Sequence, residues 1–407
     1  CGPDAAAAAT EAPADEAVQR RTFGTALALA QALAAERSRF NAALRLWLIT
    51  RNGAAVTDAD PPTGIVQAGL WGFGRSLALE MPALWGGLID LDASGDRPAE
   101  AALVARQLRR PDGENQSALR GGRRLVARLA RVTPPPRTTR REDGGTYIVT
   151  GGLGAIGRQV AEWLARQRKA EIIVLVSRHG QAAADAAAVT RRIEALGPKV
   201  IIIKADTGNK ADVRRLMRRV RSLEPPLRGI YHSAGVIDDG LIESMDWQKF
   251  RCALAPKLDA GWWLHDCSRD VAMQDFVLFS SVLSLFGSAG QTNYATANAC
   301  LDALAAHRRR LGLPALVVNW GPWSGGGLAD GLGEAIQLGW RARGLQFIRP
   351  ELGHQIFNTL FGSDLEQAAA AQVDWLGFMR QFAAPPPLYL RLHGAAAGGL
   401  ASDIATL

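Results

Sequence analysis

The chain has 407 residues, 48% of them hydrophobic and 21% charged, with a formal net charge of +8. This length asks for two or three domains rather than a single core. The profile is that of a soluble globular protein with no membrane partner, since no apolar run approaches the roughly 18 residues that a spanning helix needs. From the N-terminus, CGPDAAAAATEAPADEA lacks the basic-then-apolar order of a secretion signal, and without an initiator Met it reads as part of something larger. LRLWLIT (44–50) and GGLIDLD (86–92) read as strands flanking a helical GLWGFGRSLALE (69–80). No strand in this part opens into a glycine-rich phosphate loop, so a structural partner without a cofactor is expected.

VTPPPRTTRRED (132–143) breaks the chain, because three consecutive prolines exclude helix and sheet interior and the charges beyond them want solvent. It is expected to link a truncated subdomain over 1–131 to a second subdomain over 144–390, with 391–407 as a flexible tail. The second part alternates. YIVT (147–150), IIVLVS (172–177), VIIIKAD (200–206), LRGIYHSAG (227–235), FVLFSS (276–281) and ALVVNWG (315–321) read as strands with helical stretches between them, one of them Gly157 to Arg168. That alternation predicts an α/β fold with a doubly wound parallel sheet.

The excess positive charge does not point to nucleic acid. Its densest run, RRLMRRVRS (214–222), has the spacing of a solvated helix face, and no recognition motif accompanies it. An anionic cofactor or an acidic partner protein accounts for it more simply. Cys1, Cys252, Cys267 and Cys300 show no C-x-x-C spacing, which fits a reducing cytoplasm and no metal site.

TGGLGAIG (150–157) follows a strand and opens a helix, the context in which a glycine motif signals nucleotide binding. Thr150, Gly151, Gly152, Leu153, Gly154 and Ile156 are the expected contacts, with the helix N-terminus turned to the phosphates. The next strand ends in Ser177 and Arg178 where NAD-preferring sites place an acid, and a guanidinium suits the 2′-phosphate of NADPH. Asp206, with Thr207, stands where a carboxylate can accept from the adenine amine. His232, Ser233, Ala234 and Gly235 leave room for the nicotinamide ribose, and Pro322 is expected on the same surface.

In SVLSLFGSAGQTNYATAN, Ser281 lies thirteen residues before Tyr294, and Asn298 lies one helical turn beyond it, where a lysine might have stood. Reducing a ketone needs a hydride donor, a proton donor and a group that polarises the oxygen. Tyr294 can supply the proton and Ser281 can share the developing oxyanion. A phenol with a pKa near 10 works better beside a fixed positive charge, and Lys257 in ALAPKLDAGWWLH is the candidate for it.

TGGLGAIG, HSAGVIDDGLI, PKLDAGWWLH, FVLFSSVLSLFGSAGQTNYATANACLDALAAHRR and VVNWGPW together resemble the ketoreductase domains of modular type I polyketide synthases, within the short-chain dehydrogenase/reductase superfamily. The resemblance covers nearly the whole chain. It implies two Rossmann-like subdomains, the N-terminal one truncated and without cofactor, and a lid around 324–347. It also implies that Lys and Asn have exchanged sequence positions, so that Ser281, Tyr294, Lys257 and Asn298 all match catalytic positions. Asn298 would then help hold Lys257 and a proton-relay water.

Product stereochemistry follows from the same resemblance. Ile237-Asp238-Asp239 stands where D-hydroxyl-forming members carry Leu-Asp-Asp, and Phe286 stands where L-forming members carry Trp. Thr296 replaces the proline of epimerising D-type members, so a D-forming, non-epimerising (B1-like) enzyme is expected. The implied reaction is NADPH-dependent reduction of a β-ketoacyl group on an acyl carrier protein in a bacterial cytoplasm, beside the other domains of the same synthase. The rivals are a redox-silent structural domain of a megasynthase and a free-standing reductase of small ketones.

Overall fold

A computed structural model describes residues 12–39, 44–136, 142–325, 334–393 and 404–406. Residues 137–141 of the expected linker, 326–333 of the expected lid and 394–403 of the expected tail lie outside the described residues.

The N-terminal part forms a four-stranded sheet in the order β1 (Leu46–Arg51), β2 (Trp85–Leu91), β3 (Gln116–Arg120), β4 (Arg123–Val126). The first three run parallel and β4 closes the edge antiparallel. Helix α1 (Ile65–Glu80) connects β1 to β2. As the sequence implied, this is a dinucleotide-type layer reduced to its first strands.

The C-terminal part builds a nine-stranded sheet. Its core order is β8 (Lys199–Lys204), β7 (Ile172–Ser177), β6 (Thr146–Thr150), β9 (Leu227–His232), β10 (Asp275–Ser281), β11 (Leu316–Trp320) and β12 (Gln367–Ala370), all parallel. Strands such as IIVLVS are apolar on both sides because helices cover both faces. The alternation is visible in the packing: Ile172, Val174 and Val176 join one core and Ile173 and Leu175 the other. Strand β6 lies between β7 and β9, so the order reverses there, and a ligand crevice opens beyond the carboxyl ends of β6 and β9.

Helix α2 (Ala155–Gln167) follows β6, and α3 (Lys210–Arg221) carries the arginine run on an exposed face. The expected tail is corrected at its far end. Ile404–Thr406 forms a strand, β13, that pairs antiparallel with β12 on one side and with β5 (Ala130–Arg131) on the other.

Helix α4 (Thr292–Arg310) carries Tyr294 and is buried almost all round, with all but four of its nineteen residues inaccessible. Such a helix needs cover on the face turned away from its own sheet. Helix α1 supplies it, and the core that holds Phe73, Leu77 and Leu88 of the first part continues into Phe250, Leu301 and Leu304 of the second. The two helix backbones nearly touch. A Cβ on Gly72 would lie 2.3 Å from the carbonyl oxygen of Ala295 and 3.0 Å from the Ala299 Cβ.

Gly72→Ala is therefore expected to destabilise the chain by about 2 kcal/mol through overpacking. Gly339→Ala is the control. Among the described residues its added Cβ meets only the Arg343 side chain, at 3.9 Å, in a helix, so a gain of about 0.5 kcal/mol is expected there. Urea denaturation of both variants checks this, and equal effects would contradict the close-contact reading.

Candidate active site

The strand-to-helix turn after β6 is built around a near-contact. A Cβ on Gly157 would lie 2.3 Å from the Gly151 carbonyl oxygen, so only glycine lets α2 start this close to the strand end. Among the described residues no side chain caps α2, which leaves its first-turn N–H groups and positive dipole end for an anion. These residues fit the diphosphate of a dinucleotide. At the end of β7, Ser177 Oγ accepts from the Gly180 N–H at 2.9 Å, and Arg178 is exposed with no salt bridge among the described residues. Asp206 is exposed beyond β8 and caps its own turn, accepting from the Gly208 N–H at 3.0 Å, with Thr207 buried beside it.

Beyond β10, one cleft brings together Ser281, Tyr294 and Lys257 with Ile156, Ser233, Ile237 and Pro322. Ser281 ends β10 opposite Trp320 of β11. Lys257 sits in a single π-helical turn, Ala255–Asp259, between the helices Trp247–Leu254 and Ala260–Asp266. The widened turn places its Nζ 5.9 Å from the centre of the Tyr294 ring, where it donates to the Phe279 carbonyl at 2.6 Å. Asn298 Nδ2 donates to the Tyr294 carbonyl at 2.8 Å, and its buried Oδ1 has no partner among the described residues.

Burial sets the charges here. It lowers the Lys257 ammonium to about 7, against the pull of Asp302, and it pushes the Tyr294 phenol up to about 12. Asp302 lies on α4 one turn beyond Asn298 and is itself raised by burial to about 6. It accepts from Ser284 Oγ at 2.6 Å and from Asn319 Nδ2 at 2.8 Å. A lysine and a phenol thus share one low-dielectric cleft, with the Asp302 carboxylate acting on the lysine from α4.

Several expected residues stand elsewhere. The side chains of His232 and Thr150 have no accessible surface; His232 Nδ1 pairs with Thr150 Oγ1 at 2.7 Å beneath the strand ends. They can meet a cofactor only through the strand ends they shape. Thr296 is also fully buried and its hydroxyl donates to the Thr292 carbonyl at 2.7 Å, so it cannot touch a substrate. Leu153 is buried as well. Phe286 leaves the main cleft and packs against Phe378 and Tyr389, at ring-centre distances of 5.3 and 5.8 Å. Its side pocket shares Leu283, Trp340 and Leu345 with the cleft.

Within Ile237-Asp238-Asp239, Ile237 reaches the cleft and the Asp239 carboxylate accepts from Gln291 Nε2 at 3.1 Å. Ala234 and Gly235 are half-buried between these residues and Ser233, whose Oγ donates to the Thr150 carbonyl at 2.7 Å. Sequence reasoning missed Gln291, Trp320, Trp340 and Leu345 as cleft walls. Only Gln291 had a local signal, a polar residue three positions before the tyrosine and buried by its pairing.

Among the described residues no group of three His, Cys, Asp or Glu could hold a metal, and no helix is long and apolar enough to cross a membrane.

Comparison with known proteins places this geometry. A family model described as KR domain matches residues 145–325, and one described as the Rossmann fold domain of the polyketide synthase extender module SpnB matches residues 2–129. Polyketide synthase GfsB of Streptomyces halstedii is 39% identical over 84% of the chain, and erythronolide synthase EryA3 of Saccharopolyspora erythraea is 36% identical over 91%. The chain spans only 6% and 12% of those two proteins. A solved structure of A-type ketoreductases from a modular polyketide synthase is similar at a TM-score of 0.84 and 36% identity, over 92% of this chain and 78% of that one. The first ketoreductase of the tylosin PKS is similar at 0.80 and 35%, over 92% and 80%.

The buried ammonium has a cost that can be measured. Burial holds the folded Lys257 at about 7, against the ordinary lysine value of 10.5 in the unfolded chain, so the unfolded chain binds the extra proton between those values. The destabilisation is complete below pH 7 and fades as pH rises toward 10.5. Lys257→Met is accordingly expected to be more stable than the wild type at pH 7, by on the order of 2 kcal/mol. That gain should shrink in denaturant titrations at pH 9 and above, and a gain independent of pH would contradict the assignment.

Proposed function

The chain belongs to the ketoreductase domains of modular polyketide synthases, and on that premise we propose that it makes a D-configured (3R) β-hydroxyacyl thioester from a β-ketoacyl group on an acyl carrier protein. In this reading NADPH is the reductant and an α-substituent is not epimerised. The observation that carries it is the meeting of Ser281, Tyr294 and Lys257 in one cleft at the point where the strand order reverses. Other domains of the same synthase are the expected neighbours, and the chain's net charge of +8 suits an acidic carrier.

A nicotinamide cofactor, when bound, supplies the hydride that goes to the β-carbon. Everything else falls to the chain's own groups. At neutral pH the Tyr294 phenol, raised to about 12 by burial, holds its proton and can deliver it to the carbonyl oxygen. Ser281 donates a hydrogen bond to that oxygen as charge builds on it, an interaction worth roughly 3 kcal/mol in a dry site. The Lys257 cation stabilises the phenolate that remains. Asn298 Oδ1, a buried acceptor without a partner among the described residues, suits a water that returns the proton.

Arg178, exposed at the end of β7, offers the charge that a 2′-phosphate requires. The D-type reading rests on Ile237 at the cleft, on the Asp239–Gln291 contact behind it, and on Phe286 in place of a tryptophan. Thr296 bears on epimerisation only through the helix backbone, since its side chain is enclosed.

Tyr294→Phe is expected to lower kcat for a β-ketoacyl thioester about 10³-fold while leaving NADPH affinity within a few-fold. Stopped-time assays with fluorescence titration check this, and near-full turnover would overturn the mechanism. With racemic 2-methyl-3-ketoacyl thioester, chiral analysis should find the D-alcohol with its methyl configuration retained. An L-alcohol would refute the stereochemical reading, and a scrambled methyl the absence of epimerisation. Arg178→Ala should raise KM for NADPH at least tenfold, the loss of one charge-assisted contact, and leave KM for NADH nearly unchanged. Equal changes for both cofactors would remove Arg178 from the 2′-phosphate.

A further inference from the structure

Two separate segments wall the cleft beside Tyr294. One follows β9 and carries Ile237 and Asp239; the other, 287–291, leads into α4. They touch each other through the Gly240 N–H on the Gly290 carbonyl at 2.8 Å and through Gln291 on Asp239. Asn293 of α4 adds a bond from its Nδ2 to the Asp238 carbonyl at 2.8 Å, so a few single bonds rather than a strand ladder fix their spacing.

Both are tied to a third body. Glu80, at the last turn of α1, accepts from the Gly290 N–H at 3.0 Å and from Thr292 Oγ1 at 2.8 Å with one carboxylate oxygen. Its other oxygen accepts from the Ile242 N–H at 2.7 Å. Glu80 continues a ridge of α1 that runs through Gly72, which abuts Ala295, and Ser76, whose Oγ accepts from the Ser288 N–H at 3.2 Å. One turn of the ridge therefore follows the cleft wall into the start of the tyrosine helix.

We propose that Glu80, from the subdomain that carries no cofactor motif, is a positioning residue that sets the width of the reducing cleft by holding the Ile242 and Gly290 segments on a single carboxylate. The assignment rests on reading the cleft as the site of carbonyl reduction. All three partners of Glu80 are donors, so the ionised acid satisfies each of them, and such charge-assisted bonds are the strong ones. A glutamine of the same shape keeps one acceptor oxygen and turns an NH2 group toward a donor, which releases one wall without emptying the space. The face a ketone presents is expected to follow that spacing, because Ile237 stands on one segment and Tyr294 on the helix into which the other leads.

Glu80→Gln and Glu80→Ala test it, with wild type alongside, in NADPH-driven reduction of a 2-methyl-3-ketoacyl thioester. In Glu80→Gln the minor alcohol isomer and KM for the thioester are each expected to rise at least fivefold. NADPH affinity should stay within twofold, and amide hydrogen exchange should speed up at Gly290 and Ile242. Glu80→Ala should go further in the same direction if it folds. An isomer ratio and KM within twofold of wild type in folded Glu80→Gln would overturn the proposal, as would a loss of stability with neither of them changed. A wild type that yields the L-alcohol would refute the D-type reading while the shift in ratio still decides Glu80. Should the wild type reduce no thioester, the reducing reading falls, and unchanged exchange at Gly290 and Ile242 would then overturn the Glu80 assignment by itself.

Discussion

The catalytic geometry hangs on the contact between α1 and α4. Helix α4 holds Tyr294, Asn298 and Asp302 along successive turns, and it is enclosed on nearly every side. A helix of this kind keeps a fixed position only if something packs on the side away from its sheet, and α1 packs there at backbone distance across Gly72. The reach of α1 extends past α4 itself. Arg75 Nη1 donates to the Ser284 carbonyl at 2.6 Å, just beyond the serine that ends β10. The half of the fold without a nucleotide loop thus holds both the tyrosine and the turn after the serine.

That mechanical frame carries an electrostatic tension. Lys257 and Tyr294 are both buried, and burial moves each toward its neutral form, the lysine down and the phenol up. A neutral lysine would be of no use to a phenolate. Asp302 counters this from the far side, raising the lysine, while Ser280, Ser284 and Asn319 hold its own carboxyl partly toward the charged form. Arg75 adds positive charge from α1 to the same group. The elements that fix the position of α4 therefore also influence the charge balance around its tyrosine.

Much of this was legible in the sequence, and what was not has a common cause. The parallel strands showed as short β-branched runs, and the glycine loop showed by its place between a strand and a helix. Lys257 was picked out through the family resemblance, which pairs an upstream lysine with the asparagine one turn beyond the tyrosine, and the fold brings it into the cleft with Tyr294. His232, Thr150 and Thr296 were expected at the ligand surface and proved enclosed. Linear position tells that a residue ends a strand or follows a tyrosine, whereas depth depends on which neighbours close over it. Glu80, Arg75, Asp302 and Trp340 escaped for the converse reason. Their partners lie on other elements, and nothing adjacent in sequence marks an acid at the end of a helix as different from any other.

The two glycine-rich stretches make the same point in physical terms. TGGLGAIG sits in a turn, where glycine frees backbone to approach a diphosphate. GLWGFG sits inside α1, where each glycine costs about 1 kcal/mol against alanine in helix propensity. A helix bears that cost only if a side chain would cost more, and at Gly72 it would, with the Ala295 carbonyl 2.3 Å from the missing Cβ. Gly72 of the N-terminal half is thus matched to the tyrosine helix as the glycine loop of the C-terminal half is matched to a cofactor, whereas Gly74 makes room for Trp85 and Leu88 of its own sheet. A subdomain expected only as a structural partner meets the tyrosine helix and the segment before it along one ridge of α1, at Gly72, Ser76 and Glu80.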